Sequence, residues 1–326
     1  MPLGGSESLR DSNEAVAVLD RTATLRRLLV IHNPVAGGRR ARRLRAVVDR
    51  LERHHGVAVR VLPTGGRGDA EAFAREVTPG SVDAVVAAGG DGTINEVING
   101  LALHAAGGVP IPLGIVPMGT ANVLAGELGL PTDADGIARV LASDRTLAIH
   151  PAVANGRVFS MMAGVGLDAR VVECVDTRLK RRIGKGAYVV ETLEQLFGRA
   201  GGRYRVSIDG AAAGEVASVI VAKGHFYGGR FVCAPDARLT EPVLHVCLFP
   251  GAGRWNALRY VWGVTAGRLR HFADYRVVTA QRVMIDELDG DGPDGDAVQG
   301  DGDVVARLPV EIALAGWTLP VLVGPG

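Results

Sequence analysis

Cysteine, lysine and aromatic residues are scarce in this chain, and it has no long apolar run. It contains three cysteines and three lysines, and aromatic side chains make up 5% of its 326 residues. The cysteines are too scattered for a disulfide framework or a metal-ligand pair, which favours a reducing compartment. No stretch approaches the roughly 18 apolar residues that cross a bilayer, and no charged-then-apolar leader opens the sequence. We therefore expect a cytoplasmic protein without a transmembrane segment.

An excess of either charge is also missing. The 36 Lys and Arg residues nearly balance the 35 Asp and Glu residues, so the net charge is +1. A nucleic-acid partner held by bulk electrostatic attraction is therefore not expected. The hydrophobic content of 47% is ordinary for a globular protein, and 326 residues exceed what one core usually organises. Length and composition thus predict two domains.

Glycine, by contrast, is plentiful, and its densest cluster is Gly89-Gly90-Asp91-Gly92-Thr93. An apolar run over 82–88 predicts a buried strand before it, and apolar residues at helical spacing follow it. Such a turn aims backbone N–H groups and the positive end of a helix dipole at one spot, which suits a phosphate. Asp91 adds a carboxylate where a phosphate-bound Mg²⁺ would need one. A plain tight turn is the alternative, and the spacing matches neither a Walker A loop nor a Rossmann fingerprint.

The order of strand, glycine-containing turn and helix occurs four times in the first half of the chain. The predicted strands cover 27–32, 57–62, 82–88 and 111–116. Strands that alternate with helices predict an α/β domain with a mostly parallel sheet. Because ligands bind beyond the carboxyl ends of such strands, we expect the four turns to converge on one site.

From about residue 148 the pattern changes to short runs of alternating polarity, which predict a mainly antiparallel, β-rich domain. Helices are predicted within it at about 183–197 and 254–270. We divide the chain into a mobile tail over 1–24, an α/β nucleotide-binding domain over 25–147 and a β-rich domain over 148–326. The last residues of the chain are predicted to lie either in the β-rich domain or back in the first domain. The active site is expected in the cleft between the domains.

Three turn motifs of the first domain occur in a fixed order: Asn33-Pro34 with Gly37-Gly38, then Gly89 to Glu96, then Pro117 to Asn122. Together they closely resemble the catalytic domain shared by diacylglycerol kinases, sphingosine and ceramide kinases and their soluble bacterial relatives. Further matches follow in the second domain, at Ala163 to Ala169, Tyr227 to Gly229, Ala234 to Leu239, and Asp301-Gly302-Asp303 with Pro309. The resemblance therefore extends over nearly the whole chain from residue 27, and it implies a fold like that of diacylglycerol kinases and NAD kinases.

The resemblance implies an ATP-dependent, Mg²⁺-dependent lipid kinase. It places Asp91 in the catalytic Mg²⁺ network, and it makes Asp303 the general base, at a position where the family has Glu. A carboxylate suits that role, because the acceptor hydroxyl loses its proton as the phosphoryl group arrives. The alternative is that Asp303 is only a polar residue of a surface turn, because the surrounding segment is rich in Asp and Gly. The residues implied to bind ATP are Asn33, Pro34, Gly37, Gly38, Thr64, Gly89, Gly90, Asp91, Gly92, Thr93, Glu96, Gly119, Thr120 and Asn122.

The chain departs from the family pattern in two places. Relatives hold a structural Mg²⁺ in the second domain through positions that match Arg238, Glu241 and Val243. Here the acid is Glu instead of Asp, and Pro242 replaces a glycine, so the tight octahedral geometry of Mg²⁺ is harder to satisfy. In the first domain Val123 stands where many members have Asp, which removes one acid from the expected metal or headgroup network.

Two other segments suggest a calcium site and a membrane-binding surface, but their sequences support these functions poorly. The run 289–294 begins like a calcium loop, but Pro293, Asp294 and Gly300 break the template at its fifth, sixth and twelfth positions. The basic segment 178–185 has the charge to attract anionic lipid headgroups, although charge runs are more often solvated helix edges. We expect an acidic surface loop at the first segment, and the second leaves membrane contact and a solvated surface equally open.

The favoured function is transfer of the γ-phosphate of ATP to a lipid hydroxyl, by a protein that associates peripherally with the inner face of the membrane. Diacylglycerol, sphingoid bases, ceramide and phosphatidylglycerol all stay open as acceptors, because an apolar tail pocket leaves little sequence signature. A homodimer is also possible. One alternative is an NAD kinase, which shares the Gly-Gly-Asp-Gly-Thr turn. The other is a catalytically impaired nucleotide-binding regulator, motivated by Val123 and by Asp at 303.

Overall fold

The computed structural model describes residues 26–34, 38–166, 202–227, 229, 231–288 and 295–324. Several predictions fall outside these residues and are not addressed by the structure. They concern the tail over 1–24, Gly37, the helix over 183–197, the basic segment 178–185 and the acidic run 289–294.

The first domain is a six-stranded, mostly parallel sheet with helices on both faces. Its strands are β1 (Arg27–His32), β2 (Ala58–Pro63), β3 (Ala84–Gly89), β4 (Leu113–Pro117), β5 (Thr146–Ile149) and the last strand of the chain, β20 (Leu319–Leu322). Their order is β2-β1-β3-β4-β20-β5, and the neighbours are parallel except β20 and β5. The helices are α1 (Gly38–His55), α2 (Asp69–Arg75), α3 (Asp91–Ala106), α4 (Val123–Glu127) and α5 (Ala134–Ala142).

The central strand β3 shows why the apolar run over 82–88 becomes a sheet core. All six of its residues are buried, as expected for a parallel strand covered on both faces. On one face Leu44, Val47 and Leu51 of α1 pack with Val86 in one core cluster. On the other face α3 contributes to a second cluster. Because both faces are covered by helices, only the ends of the strands are left for a binding site.

The helix α5 was not predicted, because Gly129 and Pro131 indicated the end of the preceding helical region. The carboxylate of Asp133 accepts a hydrogen bond of 2.8 Å from the N–H of Gly136 and so caps the new helix. An Asp at this position is a strong helix start signal. The signal was present in the sequence.

The second domain consists of two antiparallel six-stranded sheets, as the alternating polarity predicted. One has the order β10-β9-β16-β19-β6-β7 and the other β15-β14-β11-β8-β17-β18, and a small pair β12-β13 lies beside them. Its strands are β6 (Ala152–Ala154), β7 (Arg157–Phe159), β8 (Met162–Val165), β9 (Tyr204–Ile208), β10 (Ala211–Val216), β11 (Ser218–Ala222), β12 (Phe226–Tyr227), β13 (Phe231–Val232), β14 (Leu244–Phe249), β15 (Arg276–Ala280), β16 (Arg282–Glu287), β17 (Ala297–Gly300), β18 (Asp303–Arg307) and β19 (Val310–Leu314).

Residues from both large sheets form one apolar core cluster between them. The helix expected at 254–270 is observed as α6 (Arg254–Thr265), which a 3-10 turn over Leu269–His271 follows. Gly267 separates the two elements with a φ of 64°, a conformation that favours glycine. None of the described helices is both long and apolar enough to cross a membrane.

The chain passes between the two domains at both ends of the second one. The strand β5 closes the first sheet, and the predicted boundary between residues 147 and 148 falls inside it. At the other end β19 lies in a sheet of the second domain, whereas β20 lies between β4 and β5 of the first. The domains are therefore joined by two chain crossings at the amino edge of the first sheet, because Ile149 pairs with Leu319 and Val321 pairs with Leu113, the first residue of β4.

Candidate active site

The glycines of two predicted turns lie in direct backbone contact at the carboxyl edge of the first sheet. A Cβ atom at Gly119 would lie 2.7 Å from the Cα of Gly90, and one at Gly89 would lie 2.4 Å from the Oγ1 of Thr93. Only glycine permits these approaches. Gly90 also starts α3 without a side-chain cap. The first N–H groups of this 16-residue helix are therefore available to an anion.

Asp91 holds these two turns together. Its Oδ1 accepts a hydrogen bond from the N–H of Val123 at 2.7 Å, and its Oδ2 accepts one from the N–H of Asn122 at 2.9 Å. Burial raises the pKa of Asp91, and the nearby charge of Asp301 adds to the rise, while the two N–H bonds oppose it. The acid of the glycine cluster thus caps the start of α4, and its remaining lone pairs are those a cation would use.

Asn122 closes the turn that Asp91 anchors. It adopts a left-handed conformation with a φ of 49°, which Asn tolerates better than most residues. Its side chain accepts a hydrogen bond from the N–H of Gly119 at 2.7 Å and donates one to the carbonyl of Gly119 at 3.0 Å. Thr120 is exposed at the tip of this turn. Asn122 therefore shapes the turn from inside, and Thr120 and Ala121 face solvent.

The other predicted nucleotide-binding residues lie on the same edge. The Nδ2 of Asn33 is 3.4 Å from the Oγ1 of Thr93, which links the first turn to the third. Thr64 is buried, and its N–H donates to the carbonyl of His32 at 2.8 Å. The Oε2 of Glu96 accepts a hydrogen bond of 3.3 Å from the N–H of Ala70 and so supports α2. Pro34 is exposed just before the undescribed residues 35–37, and Gly38 is the first residue of α1.

Asp301 connects the two domains, and its role was not predicted from the sequence. Its Oδ2 accepts hydrogen bonds from the N–H and the Oγ of Ser160 and from the Nδ2 of Asn95, at 2.7, 2.9 and 3.1 Å. Its Oδ1 accepts from the N–H groups of Met161 and Met162 at 2.9 and 3.1 Å. Five donors thus surround one carboxylate, which fixes the β17–β18 turn against β7, β8 and α3.

Two asparagines on α3 extend this junction. The side chains of Asn95 and Asn99 donate to the carbonyl of Val158 at 3.1 and 3.0 Å, and the Oδ1 of Asn99 accepts from the N–H of Val158 at 2.9 Å. Val158 lies on β7, an edge strand whose backbone groups would otherwise be unpaired. The helix that begins at the glycine cluster is therefore docked on the second domain by buried amides.

The same turn brings Asp303 to the glycine cluster. A Cβ atom at Gly92 would lie 3.2 Å from the Oδ2 of Asp303, so this carboxylate lies directly against the start of α3. Its Oδ1 is 3.4 Å from the Nη2 of Arg67, which comes from the turn before α2. The Asp303 side chain is 43% exposed. A carboxylate from the second domain therefore faces the cleft next to the predicted phosphate-binding turn of the first.

The carboxylates at this junction fit a Mg²⁺ ion only together with a nucleotide. Asp91 and Asp301 are close enough for the charge of one to raise the pKa of the other. Among the described residues, however, no three acidic, histidine or cysteine side chains lie close enough to form a metal site. Mg²⁺ commonly takes one or two carboxylates and completes its shell with water and substrate phosphates. Asp91 is thus suited to hold an ion that arrives with ATP.

The three residues that the resemblance assigned to a second Mg²⁺ lie in the segment before β14. The carbonyls of Glu241 and Val243 accept hydrogen bonds from the Nζ of Lys223, at 2.5 and 2.9 Å. The carbonyl of Arg238 accepts the N–H of Glu241 at 3.3 Å. Burial lowers the pKa of Lys223 to about 8, against the opposing effect of the Glu241 carboxylate.

Val123 packs in the apolar core of the first domain instead of facing the cleft. Glu127, the last residue of the same helix α4, is an acid that contacts the second domain. Its Oε1 accepts the N–H of His225 at 2.8 Å, and its Oε2 accepts the N–H of Phe226 at 3.0 Å. The helix α4 is therefore linked at its start to Asp91 and at its end to β12.

The sequence interpretation missed the residues that join the domains: Asn95, Asn99, Asp301, Glu127 and Arg67. For Asn95 and Asn99 a signal was present, because two amides one turn apart interrupt the apolar stripe of α3. For Asp301 no local signal separates it from Asp303. Only the packing of the second domain shows which of the two is enclosed by donors.

Comparison with known proteins agrees with this geometry. Residues 27–153 match the family model of the diacylglycerol kinase catalytic domain. Residues 161–323 match that of the YegS C-terminal NAD kinase beta sandwich-like domain. The chain is 29% identical over 290 residues to a diacylglycerol kinase of Bacillus subtilis, covering 85% of this chain and 93% of that one. It is 32% identical over 225 residues to a probable lipid kinase YegS-like of Pseudomonas aeruginosa, covering 68% and 72%.

Solved structures support the fold. A crystal structure of a diacylglycerol kinase from Bacillus anthracis has a TM-score of 0.70 at 23% identity, with 92% of this chain and 97% of that chain covered. Yeast NADH kinase complexed with NADH has a TM-score of 0.51 at 12% identity, with 93% and 85% covered. At these identities the likeness concerns the fold alone. It confirms the predicted combination of an α/β domain with an antiparallel β-rich domain.

Proposed function

The chain belongs to the family defined by the diacylglycerol kinase catalytic domain, and from this premise we propose that it transfers the γ-phosphate of ATP to the hydroxyl group of a lipid. The observation that carries the proposal is the position of Asp303. Its carboxylate lies 3.2 Å from where a Cβ atom at Gly92 would be, at the N-terminus of α3. A phosphate-binding turn and a candidate proton acceptor thus meet across the two domains.

The residues of the first domain bind and orient the nucleotide in this proposal. The N–H groups at the start of α3 stabilise negative charge on the phosphates through direct contact and the helix dipole. The turn closed by Asn122 stays in place because the carboxylate of Asp91 accepts a hydrogen bond from the N–H of Asn122. Mg²⁺ that arrives with ATP would neutralise charge on the transferring phosphate, with Asp91 as its protein ligand.

The second domain supplies the proton acceptor. Asp303 accepts the proton of the lipid hydroxyl at one of its carboxylate oxygens while the oxygen of the lipid attacks the γ-phosphorus of ATP. The bond from the γ-phosphorus to the β–γ bridging oxygen breaks, and ADP leaves. The Asp303 side chain is 43% exposed, and the guanidinium of Arg67 lies beside it. Asp301 positions the turn from which Asp303 extends, because it accepts four hydrogen bonds from residues 160–162 of its own domain and one from Asn95 of the first.

The partner in this proposal is a lipid at the membrane surface, and the protein associates with that surface peripherally. The names of its relatives support diacylglycerol as the first acceptor to test. A sphingoid base, ceramide and phosphatidylglycerol are the next acceptors to test. A homodimer is proposed as a second arrangement to test by light scattering.

The experiment is phosphorylation of a total lipid extract with radiolabelled ATP and Mg²⁺, followed by thin-layer chromatography. NAD is offered in parallel as the soluble acceptor, because a yeast NADH kinase shares the fold. Asp303→Asn is the catalytic variant, and Glu52→Gln, at an exposed carboxylate of α1, is its matched control. We expect labelled lipid with the wild type and with the control variant, and none with Asp303→Asn.

Two results would replace the proposal. Label on NAD and on no lipid would establish an NAD kinase. ATP binding without any labelled product would indicate a nucleotide-binding regulator and would sink the enzyme proposal. The identity of the labelled lipid names the acceptor.

A further inference from the structure

Lys223 is a completely buried lysine, with 0% of its surface exposed, directly after β11. Its Nζ donates to two backbone carbonyls of the segment before β14, those of Glu241 and Val243, at 2.5 and 2.9 Å. These carbonyls stand at two of the three positions where the family resemblance expects a structural Mg²⁺. An ammonium group and a metal ion thus compete for one place in the fold.

The residues present do not fit the metal. Mg²⁺ requires near-octahedral oxygen ligands at about 2.0–2.1 Å. The resemblance expects them from the carbonyls of Arg238 and Val243 and from the carboxylate of Glu241, and the Val243 carbonyl is already bound to the ammonium of Lys223. Glu241, which would supply the acid, is an exposed residue. The carbonyl at Arg238 accepts a backbone N–H within the same turn. No metal-binding trio of acid, histidine or cysteine side chains exists in the part of the chain that the structure describes.

We propose that the ammonium of Lys223 replaces the divalent cation of this segment, so that residues 235–243 are held against the second domain by a tethered charge and not by a metal. The ammonium satisfies two buried carbonyls, which would otherwise lose hydrogen bonds to water without compensation. The neighbouring His150 and His245 do not compete with it. Burial lowers the pKa of both rings, and the charge of Lys223 lowers it further, which favours their neutral forms.

The test is the melting temperature of the full chain without nucleotide, with EDTA and with added Mg²⁺. For the wild type we expect the same melting temperature in both conditions. Lys223→Met keeps the length of the side chain but removes the donors, so it should lower the melting temperature by roughly 5–15 °C. The matched control is Arg238→Met, because Arg238 also donates to two carbonyls of this segment but is exposed. We expect it to shift melting by no more than about 2 °C.

A wild-type melting temperature that falls with EDTA and recovers with Mg²⁺ would overturn the proposal. So would a Lys223→Met variant that melts together with the wild type. If Lys223→Met cannot be purified folded, the EDTA comparison on the wild type still decides, because a metal-held segment must respond to chelation. Metal analysis of the purified wild type, expected to show no bound Mg²⁺, supplies the second readout.

A separate observation concerns the outer face of α6. Two of the three tryptophans of the chain, Trp255 and Trp262, are 74% and 53% exposed, and they lie seven residues apart on one face of the helix. Phe231 of β13, a strand that contacts α6, is 42% exposed. Large aromatic side chains in water are costly unless a partner covers them.

The charge around this aromatic face indicates which partner fits. Residues 251–276 contain five arginines and one acid, Asp274, which is paired with Arg259. The other described arginines of the segment, Arg268, Arg270 and Arg276, are exposed. Tryptophan together with arginine is the composition of surfaces that bind at the headgroup level of anionic bilayers.

We infer that the α6 face, defined as Trp255, Trp262 and Phe231, docks on an anionic lipid bilayer. The inference rests on the proposed function, since a lipid kinase must meet its acceptor at a membrane. The face is also connected to the site. Glu127 of α4 binds the backbone of β12, which pairs with β13, and β13 contacts α6.

The test is flotation with vesicles of phosphatidylglycerol and phosphatidylcholine, performed without ATP so that its outcome does not depend on kinase activity. The Trp255→Ala/Trp262→Ala double variant should lose about tenfold or more of its partitioning. The matched control is Leu103→Ala/Val109→Ala, which removes two apolar side chains of 61% and 55% exposure from another surface. It should bind like the wild type.

Tryptophan fluorescence gives an independent readout. The emission should shift to shorter wavelength on vesicle binding, because Trp255 and Trp262 leave water while Trp317 already packs against the first core. Absence of wild-type binding to phosphatidylglycerol vesicles, or equal binding of the tryptophan double variant, would overturn the inference. Equal binding to vesicles of pure phosphatidylcholine would overturn the role of the arginines.

Discussion

Asp301 and Asp303 are two residues apart in one turn, yet the fold treats them in opposite ways. Asp301 accepts five hydrogen bonds from both domains, at 2.7 to 3.1 Å. Asp303 has one exposed ion pair, with Arg67 at 3.4 Å. A carboxylate whose oxygens are filled by donors is an anchor, because removing it leaves those donors unpaired. A carboxylate that faces a cleft with open lone pairs is free to accept a proton.

The largest expected effect is on activity, from Asp303→Asn. The amide cannot accept the proton of the acceptor hydroxyl, so kcat should fall by about 10²–10⁴-fold, the usual contribution of a general base. The affinity for ATP should stay within a few fold, and the free energy of unfolding within about 0.5 kcal/mol, because Asp303 makes no buried contact. Steady-state kinetics and denaturant unfolding measure both. Normal turnover would remove Asp303 from the mechanism.

The converse variant is Asp301→Ala. It leaves five donors at the domain junction without their acceptor, so we expect the free energy of unfolding to fall by about 3–5 kcal/mol. Urea unfolding of the full chain measures the loss. The milder Asp301→Asn keeps one acceptor oxygen and should lose less. Wild-type stability of Asp301→Ala would contradict the assignment of Asp301 as the anchor.

Gly92→Ala tests Asp303 separately from Asp301, because the new methyl group displaces only the Asp303 carboxylate. The new Cβ atom would lie 3.2 Å from the Oδ2 of Asp303, so that carboxylate must shift by a few tenths of an ångström. We expect kcat to fall by about 3–10-fold, while stability stays equal or rises by up to about 1 kcal/mol from the better helix propensity.

The control for this variant is Gly126→Ala in α4, where a Cβ atom meets nothing within 4 Å. It tests the gain in helix propensity without the contact, and its kcat should match the wild type. A loss of activity in both variants would show that the effect of Gly92→Ala does not come from Asp303.

The smallest expected effect is that of Arg67→Met. Arg67 is 77% exposed, and exposed ion pairs contribute about 0–1 kcal/mol. We expect unfolding to change by less than about 0.5 kcal/mol and kcat to stay within about threefold. Kinetics at low and high salt measure the difference, because an exposed pair is screened by salt. A loss as large as that of Asp303→Asn would mean that Arg67 itself contacts the reacting groups.

Asp301 and Asp303 also show which features of the site could be predicted from the sequence and which could not. The strands and turns of the first domain follow from hydrophobic periodicity and glycine placement, which act over a few residues. The predicted turns at Asn33, Thr64, Gly89 to Thr93 and Gly119 to Asn122 all lie at one sheet edge. Asp303 was assigned through the family resemblance and Asp301 was given no role, because nothing local to the turn Asp-Gly-Asp shows that Asp301 is enclosed by donors. Lys223 was missed for the same reason, because nothing in the neighbouring sequence indicates that a single lysine after an apolar strand is buried.

By itself the sequence determined the class of fold, and it predicts the kind of ligand. A glycine turn between a buried strand and a helix has few other uses than to bring backbone N–H groups to an anion. Only the tertiary structure decided which carboxylate anchors the domains and which faces the cleft, and that an ammonium group stands where a metal was expected. The physical reason is that burial and hydrogen bonding of a charged group depend on residues far away in the chain. Asp301 and Asn95 are 206 positions apart, yet they meet at 3.1 Å.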